Sequence, residues 1–405
     1  MIFSFSAVFA VSVLSIMGYY NERLADRYSV SNGEKLVFEN EKCITVSYGK
    51  TAKSNATSGQ GISNDNVTLK LFGVFPIKQA SVETVNDSFV YVMGKPFGIK
   101  LYTDGVLVVG INDVKTEGGT KKPAEDAGLK IGDSIISIGG QKVETNEQLA
   151  NIISASNGQA IKLKIQRDGK NMTIYLKPVF SSESATYKAG IWVRDSSAGI
   201  GTLTFYSPSA KIIGGLGHGI CDSDTDTLLN ISGGELVDAE IISCNRSEIG
   251  KPGELVGSFK NSSIAPLLIN SNAGVFGVSN TVETDGCSLM KMATKQETKN
   301  GKAQILSTVN SGEPKLYDCT IKILSTSEKE LTQNIYVTIT DDELIKETGG
   351  IVQGMSGSPI IQDGKLVGAV THVLVDNPEN GYGIFAENML NVAKEQTSNL
   401  LSKAS

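Results

Sequence analysis

The stretch GGIVQGMSGSPIIQDGKLVGAV, residues 349–370, combines a serine between two glycines with the pattern of a β-hairpin. Gly354 and Gly357 flank Ser356, and glycine lets the backbone bend sharply and approach a substrate closely. The apolar pairs that follow are joined through Asp363-Gly364, a dipeptide typical of two-residue hairpin turns. The pattern predicts a nucleophilic Ser356, with the main-chain N–H groups of Gly354 and Ser356 directed at the oxyanion. A glycine- and serine-rich surface turn between two strands is the alternative.

Only two histidines are available as a general base for such a serine. His218 lies in the glycine-dense segment GGLGHGI, residues 214–220, and His372 follows the hairpin two residues after Val370. A serine hydroxyl needs a base to take its proton, and imidazole has a suitable pKa. Because glycines on both sides leave His218 few packing partners, we predict that His218 is the base. For His372, which has apolar neighbours on a strand, we favour a structural role at the pocket wall.

The composition of the 405-residue chain favours a mainly β protein, because 43 glycines and few aromatic residues are typical of short strands joined by tight turns. The formal net charge of −6 provides no basic surface, so we exclude nucleic acid as a partner. The five cysteines have no C-x-x-C spacing, and we expect neither a metal site nor another cofactor. Cys221 and Cys244 are one possible disulfide pair. Asp222, Asp224 and Asp226 are predicted to form a solvated acidic loop.

The N-terminal part of the chain divides into an apolar segment and a polar one. Residues 1–20 contain an uncharged apolar run of about the length that crosses a bilayer, and they are predicted to be a membrane anchor or a signal segment. Residues 21–66 are predicted to be a flexible linker, with a self-cleavage region between Cys43 and Asn66. A small β region over residues 67–93 follows.

Residues 94–180 resemble a PDZ domain. The sequence Pro96-Phe97-Gly98-Ile99 has the position of its peptide-binding loop and the following strand, and residues 145–155 match its second helix. PDZ domains take an extended peptide onto a sheet edge and hold its carboxylate on loop N–H groups. We therefore predict that Pro96, Phe97, Gly98 and Ile99 bind a peptide or substrate. A rigid spacer with an unused groove is the alternative.

Three motifs in order, Gly-His-Gly at 217–219, Thr-Asp-Asp at 340–342 and Gly-Met-Ser-Gly-Ser-Pro at 354–359, resemble the stage IV sporulation serine peptidases of the SpoIVB family. The resemblance implies a chymotrypsin-like double β-barrel over residues 187–405. It also implies that Ser356 is the nucleophile, His218 the base and Asp341 the third member of the triad. Asp342 is adjacent, and only the offset from Ser356 favours Asp341. A cap at the start of a short helix is the structural alternative for this pair.

The resemblance also implies a biological role. The chain is expected to be a membrane-anchored, extracytoplasmic serine endopeptidase that acts during spore formation. Its implied substrates are itself and the regulatory subunit of a membrane-embedded sigma-factor-processing metalloprotease. Its implied location is the forespore membrane, with the catalytic domain in the space between forespore and mother cell, and self-cleavage is expected to release it from the anchor. The alternative is a PDZ peptide-binding adaptor with a degenerate protease domain that signals by binding alone.

Overall fold

The structure, a computed structural model, describes residues 2–49 and 64–404. Strands dominate it, so the predicted mainly β class is confirmed. An N-terminal sheet comes first, and a PDZ module then lies between strands of a larger sheet system that carries the serine and histidine motifs.

The N-terminal module consists of one helix and a four-stranded sheet. Its elements are α1 (Ile2–Arg23), β1 (Arg27–Ser31), β2 (Ile44–Tyr48), β3 (Asn64–Leu71) and β4 (Phe75–Val85). The strand order is β1-β4-β3-β2, with β1 parallel to β4 and β2 antiparallel to β3. Side chains alternate across a strand, so one face of the sheet collects the apolar residues, among them Tyr28, Val30, Leu69 and Val82.

The prediction of a flexible linker over residues 21–66 is wrong for the residues that the structure describes. β1 and β2 lie inside this range and pair with β4 and β3, and Tyr28 is only 2% exposed. The composition did not predict these strands, because each is only five residues long and its apolar side chains lie among polar neighbours. Residues 50–63, which hold most of the predicted self-cleavage region, lie outside the described residues.

The predicted anchor falls on α1, which exposes large apolar side chains such as Val8, Phe9 and Leu14. Among the helices in the described ranges, none combines the length and the apolarity that a membrane span requires. The anchor over residues 1–20 stays a prediction.

The PDZ module follows β5 (Phe89–Val92) and begins with the second part of a long strand, β6 (Pro96–Ile111). Its further elements are β7 (Val114–Thr116), β8 (Gly119–Lys121), α2 (Pro123–Asp126), β9 (Ser134–Ile138), β10 (Gln141–Lys142), α3 (Asn146–Ser154), β11 (Ile161–Arg167), β12 (Lys170–Leu176), β13 (Val179–Ser181) and β14 (Thr186–Lys188). α3 confirms the helix predicted over residues 145–155. It begins after Thr145, whose side chain accepts a hydrogen bond from the N–H of Gln148.

The remaining elements form the sheet system that carries the serine and histidine motifs. They are β15 (Ile191–Ser207), β16 (Ile212–Gly215), β17 (Ile231–Asn245), β18 (Glu254–Ser271), β19 (Gly274–Val278), β20 (Ser288–Met292), β21 (Gly301–Ser307), β22 (Lys315–Ile323), β23 (Ile335–Ile339), α4 (Asp342–Thr348), β24 (Pro359–Gln362), β25 (Lys365–Val373), β26 (Asn380–Phe385) and α5 (Ala386–Ala404). Short 3-10 helices cover Lys295–Glu297 and Leu331–Gln333.

These strands enclose two main apolar cores. β6 and β15 to β19 surround one, with Phe97, Leu236 and Val275 at its centre. β21 to β25 surround the other, which contains Ile305 and Val337. A third cluster, which includes side chains of α5, joins the two groups of strands. The two groups thus form two halves, each with its own core, although Ile241 of β17 and Leu255 of β18 pack in the second core. Burying apolar side chains is the main source of their stability.

β6 runs through both the PDZ module and the first of these halves. At its start, Phe97, Gly98 and Ile99 pair with β15 on one side and with β17 on the other. Phe97 is fully buried, and a Cβ at Gly98 would lie 2.6 Å from the ring of Phe259. A strand paired on both edges has no free N–H and C=O groups for a ligand strand. The predicted PDZ-type binding of a peptide strand at Pro96, Phe97, Gly98 and Ile99 is therefore wrong, although Ile99 lines the cavity that Ser356 and His218 share.

Candidate active site

Ser356 lies on a tight turn between the end of α4 and the β24–β25 hairpin. α4 ends at Gly349, which has a left-handed φ of 74°. On the other side, the β24–β25 hairpin turns at Asp363 and Gly364, with φ values of 50° and 73°, which confirms the predicted hairpin. At Gly357, where φ is 95°, a Cβ would lie 1.9 Å from the main-chain oxygen of Thr202, so only glycine fits.

The turn is fastened to β15 by hydrogen bonds from two threonines. Thr202 donates from its hydroxyl to the oxygen of Gly354 at 2.8 Å and from its N–H to the oxygen of Ser356 at 2.9 Å. Thr204 donates from its hydroxyl to the oxygen of Gly357 at 2.7 Å. These bonds orient the carbonyl groups of the turn toward β15 and so fix the path of its backbone.

Two main-chain N–H groups of the turn are unpaired. Those of Met355, Gly357 and Ser358 each donate to a main-chain oxygen, whereas those of Gly354 and Ser356 have no acceptor in the described part of the chain. An oxyanion hole uses such N–H groups next to the nucleophile. The assignment of Gly354 and Ser356 as oxyanion donors stays a prediction, and their free N–H groups agree with it.

Ser358, the other serine of the motif, is fully buried and donates a hydrogen bond of 2.9 Å to the hydroxyl of Ser307. Ser356 instead lines a cavity, and its Oγ donates to the main-chain oxygen of Thr371 at 2.6 Å. Of the two hydroxyls, that of Ser356 is therefore the one that a substrate reaches.

His218 reaches the same cavity from the turn after β16. Its Nδ1 lies 2.8 Å from the main-chain oxygen of Gly219. A proton on Nδ1 donates to this oxygen and leaves Nε2 free to accept a proton. Burial lowers the pKa of His218, and the hydrogen bond to Gly219 offsets part of that shift. His218 is therefore neutral at pH 7, which is the form that a general base requires.

His372 lies against His218. The two ring centroids are 4.7 Å apart, and the ring planes meet at 34°. His372 is solvent-exposed on β25, but desolvation of the part of its ring that faces His218, and then the positive charge that His218 carries when protonated, lower its pKa to about 4. The sequence favoured a structural role for His372 at the pocket wall and did not predict this contact, which joins the turn after β16 to β25. The signal that could have revealed it is scarcity, because the two rings that meet are the only histidines of the chain.

Asp341 is not part of this cluster. It is the N-cap of α4, where its carboxylate accepts hydrogen bonds from the N–H groups of Leu344 at 3.0 Å and Asp318 at 3.2 Å. None of the described residues that line the cavity is acidic. The structure therefore brings Ser356 and His218 together without Asp341. The role of Asp341 or Asp342 in the triad stays a prediction from the resemblance.

The cavity that these side chains share has a volume of about 380 Å³. Aliphatic side chains make up most of its wall: Ile99, Leu101, Ile200, Leu216, Ile220, Ile351, Val352 and Val373. β6 and β15 contribute one side of this wall, and β25 and the nucleophile turn contribute the other. The cavity thus lies between the two halves.

The loop after His218 differs from the predicted solvated acidic loop. Asp222 is buried, and one of its oxygens accepts hydrogen bonds from the N–H groups of Asp224 and Thr225. The other lies 3.1 Å from Nη1 of Arg194, in an ion pair without hydrogen-bond alignment. The prediction is wrong for Asp222 because Arg194 neutralises it. Across the described ranges, no group of three or more His, Cys, Asp or Glu side chains is arranged to hold a metal ion.

Cys221 and Cys244, one possible disulfide pair, are both free thiols. Cys221 is exposed, and Cys244 lies half-buried on β17. Burial raises the pKa of Cys244 to about 11, and partial desolvation together with the charge of Asp226 raises the pKa of the exposed Cys221. Both therefore remain protonated at neutral pH.

Comparison with known families gives two matches. Residues 185–390 match the family described as SpoIVB peptidase S55, and residues 108–167 match the PDZ domain. The first match contains Ser356, His218, His372 and Asp341. The second begins within β6, after the residues that pair with both β15 and β17.

Curated relatives match over shorter segments. Zinc metalloprotease RasP of Geobacillus kaustophilus is 30% identical over 101 residues, which are 25% of this chain and 21% of the relative. Serine protease Do-like HtrA of Bacillus subtilis is 44% identical over 57 residues, 14% of this chain and 13% of the relative. The chain thus spans about a fifth or less of the length of these relatives.

Among solved structures, the PDZ domain of an SdrC-like protein from Listeria monocytogenes is 26% identical, with a TM-score of 0.19. The match covers 22% of this chain and 87% of that domain. The corresponding domain from Listeria innocua has the same TM-score and is 25% identical. At this TM-score the similarity adds nothing to the fold assignment.

Proposed function

The chain belongs to the SpoIVB peptidase S55 family of serine peptidases and contains a PDZ domain, and we propose that Ser356 and His218 carry out its endopeptidase reaction. The observation that carries the proposal is that Ser356 and His218 line the same cavity, whereas Ser358, the other serine of the motif, is buried against Ser307. Membership of a serine peptidase family favours an enzyme over an adaptor that signals by binding alone.

In the proposed reaction, the hydroxyl of Ser356 turns from Thr371 to His218, which takes its proton as Oγ attacks the scissile carbonyl. The N–H groups of Gly354 and Ser356 stabilise the oxyanion, and the imidazolium then gives its proton to the leaving amine. Water hydrolyses the acyl-enzyme with His218 again as the base. Asp341 is proposed as the third member on the resemblance alone, because in the structure its carboxylate caps α4.

We further propose that the peptidase part is a chymotrypsin-like double β-barrel. Two groups of strands, each with its own core, and a cavity between them support this assignment. The aliphatic wall of the cavity supports a preference for an apolar substrate side chain beside the scissile bond, since burying such a side chain contributes about 1.5–3 kcal/mol.

The PDZ domain is proposed to bind an extended peptide at the start of β15. Ile191–Arg194 pair with β6 on one side, and within the described residues no strand pairs with the other side. α3 lies near this free edge, where the N–H of Asn146 donates to Asp195 at 2.9 Å. A strand edge beside a helix is the arrangement that β-strand addition uses. It replaces the site that the sequence predicted at Pro96–Ile99.

The biological role is proposed from the family. We infer that the enzyme cleaves itself and the regulatory subunit of a membrane-embedded sigma-factor-processing metalloprotease. Its proposed location is the space between forespore and mother cell, with attachment to the forespore membrane through residues 1–20. Fractionation of sporulating cells tests the location, and recovery of the full-length chain in the soluble fraction would contradict the attachment.

The test of the proposed function compares Ser356→Ala with Ser358→Ala in cleavage of a peptide library and of the protein itself. Ser356→Ala is expected to abolish both activities and to keep its folding stability within about 1 kcal/mol of the wild type. Ser358→Ala is the matched control, because it removes a buried hydroxyl that does not reach the cavity. Residual proteolysis by purified Ser356→Ala would move the nucleophile elsewhere.

A further inference from the structure

We propose that His372 is a positioning residue for His218, whose ring it holds by direct packing across the junction of the two halves. The observation is the contact between the only two histidines of the chain, with centroids 4.7 Å apart and planes at 34°. This proposal rests on the proposed function, in which His218 is the base.

The packing matters because His372 joins His218 to a different element of the fold. The residue lies in a glycine-rich turn, with Gly217 and Gly219 on its two sides. The hydrogen bond of its side chain goes to the adjacent Gly219, which moves with the same turn. His372 comes from β25, a strand that pairs with both β24 and β26. It therefore ties the ring of His218 to a rigid element.

The same strand also binds the nucleophile. Thr371, next to His372, accepts the hydrogen bond from the hydroxyl of Ser356 at 2.6 Å. The N–H of Gly357 donates to Val370 on β25 at 2.8 Å. β25 thus contacts both partners of the proposed proton transfer, and the contact with His372 sets where His218 lies relative to Ser356. Misplacement of a reacting group by about 1 Å costs on the order of 100-fold in rate.

A neutral ring is required for this role, because a second positive charge would oppose the imidazolium that forms on His218. Partial desolvation and the charge of protonated His218 lower the pKa of His372, which is otherwise solvent-exposed, to about 4, so the ring is uncharged at neutral pH. Among the described residues that line the cavity, the two histidines are the only titratable side chains apart from the nucleophile. The flat, neutral ring of phenylalanine should therefore replace His372 better than a small side chain does.

The experiment compares His372→Ala, His372→Phe and the control Val373→Ala, which trims a neighbouring residue of the same cavity wall. His372→Ala is expected to lower kcat about 10- to 100-fold with KM changed little, because the ring of His218 loses its support. His372→Phe should restore most of kcat, and Val373→Ala should act mainly on KM. The proposal is overturned if His372→Ala keeps the wild-type kcat, or if His372→Phe is as slow as His372→Ala.

A second measurement does not depend on the variants at 372. In the Ser356→Ala protein, the two imidazoles are the only histidine signals in an NMR spectrum. Nuclear Overhauser contacts between the two rings are expected, and their absence would overturn the proposal. His218→Ala separates this proposal from the proposed function: an active His218→Ala enzyme contradicts His218 as the base, whereas an inactive one beside a fully active His372→Ala contradicts only the role of His372.

Discussion

The Oγ of Ser356 donates its hydrogen bond to the main-chain oxygen of Thr371, at 2.6 Å, and not to His218. Thr371 immediately precedes His372, so the nucleophile and both histidines meet at one segment of β25. Hydrogen bonds between a nucleophile and its base are often incomplete until a substrate is bound. A rotation of the Ser356 side chain is therefore the first step that we expect in the reaction.

The acid limb of the pH–rate profile should lie below pH 6.5, the ordinary pKa of histidine. Only neutral His218 acts as a base, and burial lowers its pKa, so the active form persists to a lower pH than for an exposed histidine. The measurement is kcat/KM against pH for the wild type and for His372→Phe, which removes the second imidazole. A midpoint above 6.5 in both proteins would contradict the burial of His218.

Asp341→Asn should cost far more activity than Asp342→Asn if the resemblance assigns the third member correctly. The loss of a triad carboxylate costs about 10⁴ in kcat. Asparagine caps helices about as well as aspartate and keeps the bond from Leu344, but its NH2 group cannot accept from the N–H of Asp318, so the stability of Asp341→Asn is measured beside its rate. Steady-state kinetics and thermal unfolding of both variants check this. Equal rates would mean that Gly219 and His372 orient His218 without a carboxylate.

A single cut between residues 49 and 64 should not release the N-terminal segment. β1 and β2 precede this position in the chain and pair with β4 and β3, which follow it. The end of α1 is also tied to the peptidase, since the oxygen of Arg23 accepts from the N–H groups of Thr326 and Ser327. The release expected from the sequence therefore does not follow from such a cut.

The test places the recognition sequence of a site-specific protease between residues 49 and 64 and follows both fragments by gel filtration after cleavage. Co-elution is expected. Tyr28→Ala is the control, because loss of this buried ring costs about 3–5 kcal/mol and should let the fragment dissociate. If the fragments separate in the protein that keeps Tyr28, a single cut is enough to release the N-terminal segment.

Peptides with a free C-terminal carboxylate should change the fluorescence of Trp192. It is the only tryptophan of the chain, it is 62% exposed, and it lies on the free edge of β15 where the PDZ domain is proposed to bind. A saturable change is expected for the free acid and a much weaker one for the same peptide with an amidated end. Equal responses, or none, would remove Ile191–Arg194 as the binding edge.

Local patterns in the sequence predicted the parts of the fold that depend on neighbouring residues. The hairpin at Asp363 and Gly364 and the helix after Thr145 follow from turn and cap chemistry that acts within a few residues. Pairing between strands that are far apart in the sequence has no comparable local pattern. Phe97 and Gly98 resemble a PDZ loop locally, but β15 and β17 enclose them from more than a hundred residues away. The contact between His218 and His372 likewise depends on how two distant strands pack.

Activation of Ser356 by His218 is tested most directly by the rate at which a fluorophosphonate labels the protein, with peptide mapping of the labelled residue. We expect label on Ser356 in the wild type and none at this position in Ser356→Ala. Labelling of His218→Ala should be slower by at least about 100-fold, because the base contributes that much. Label on another residue, or an unchanged rate in His218→Ala, would contradict the claim that His218 activates Ser356.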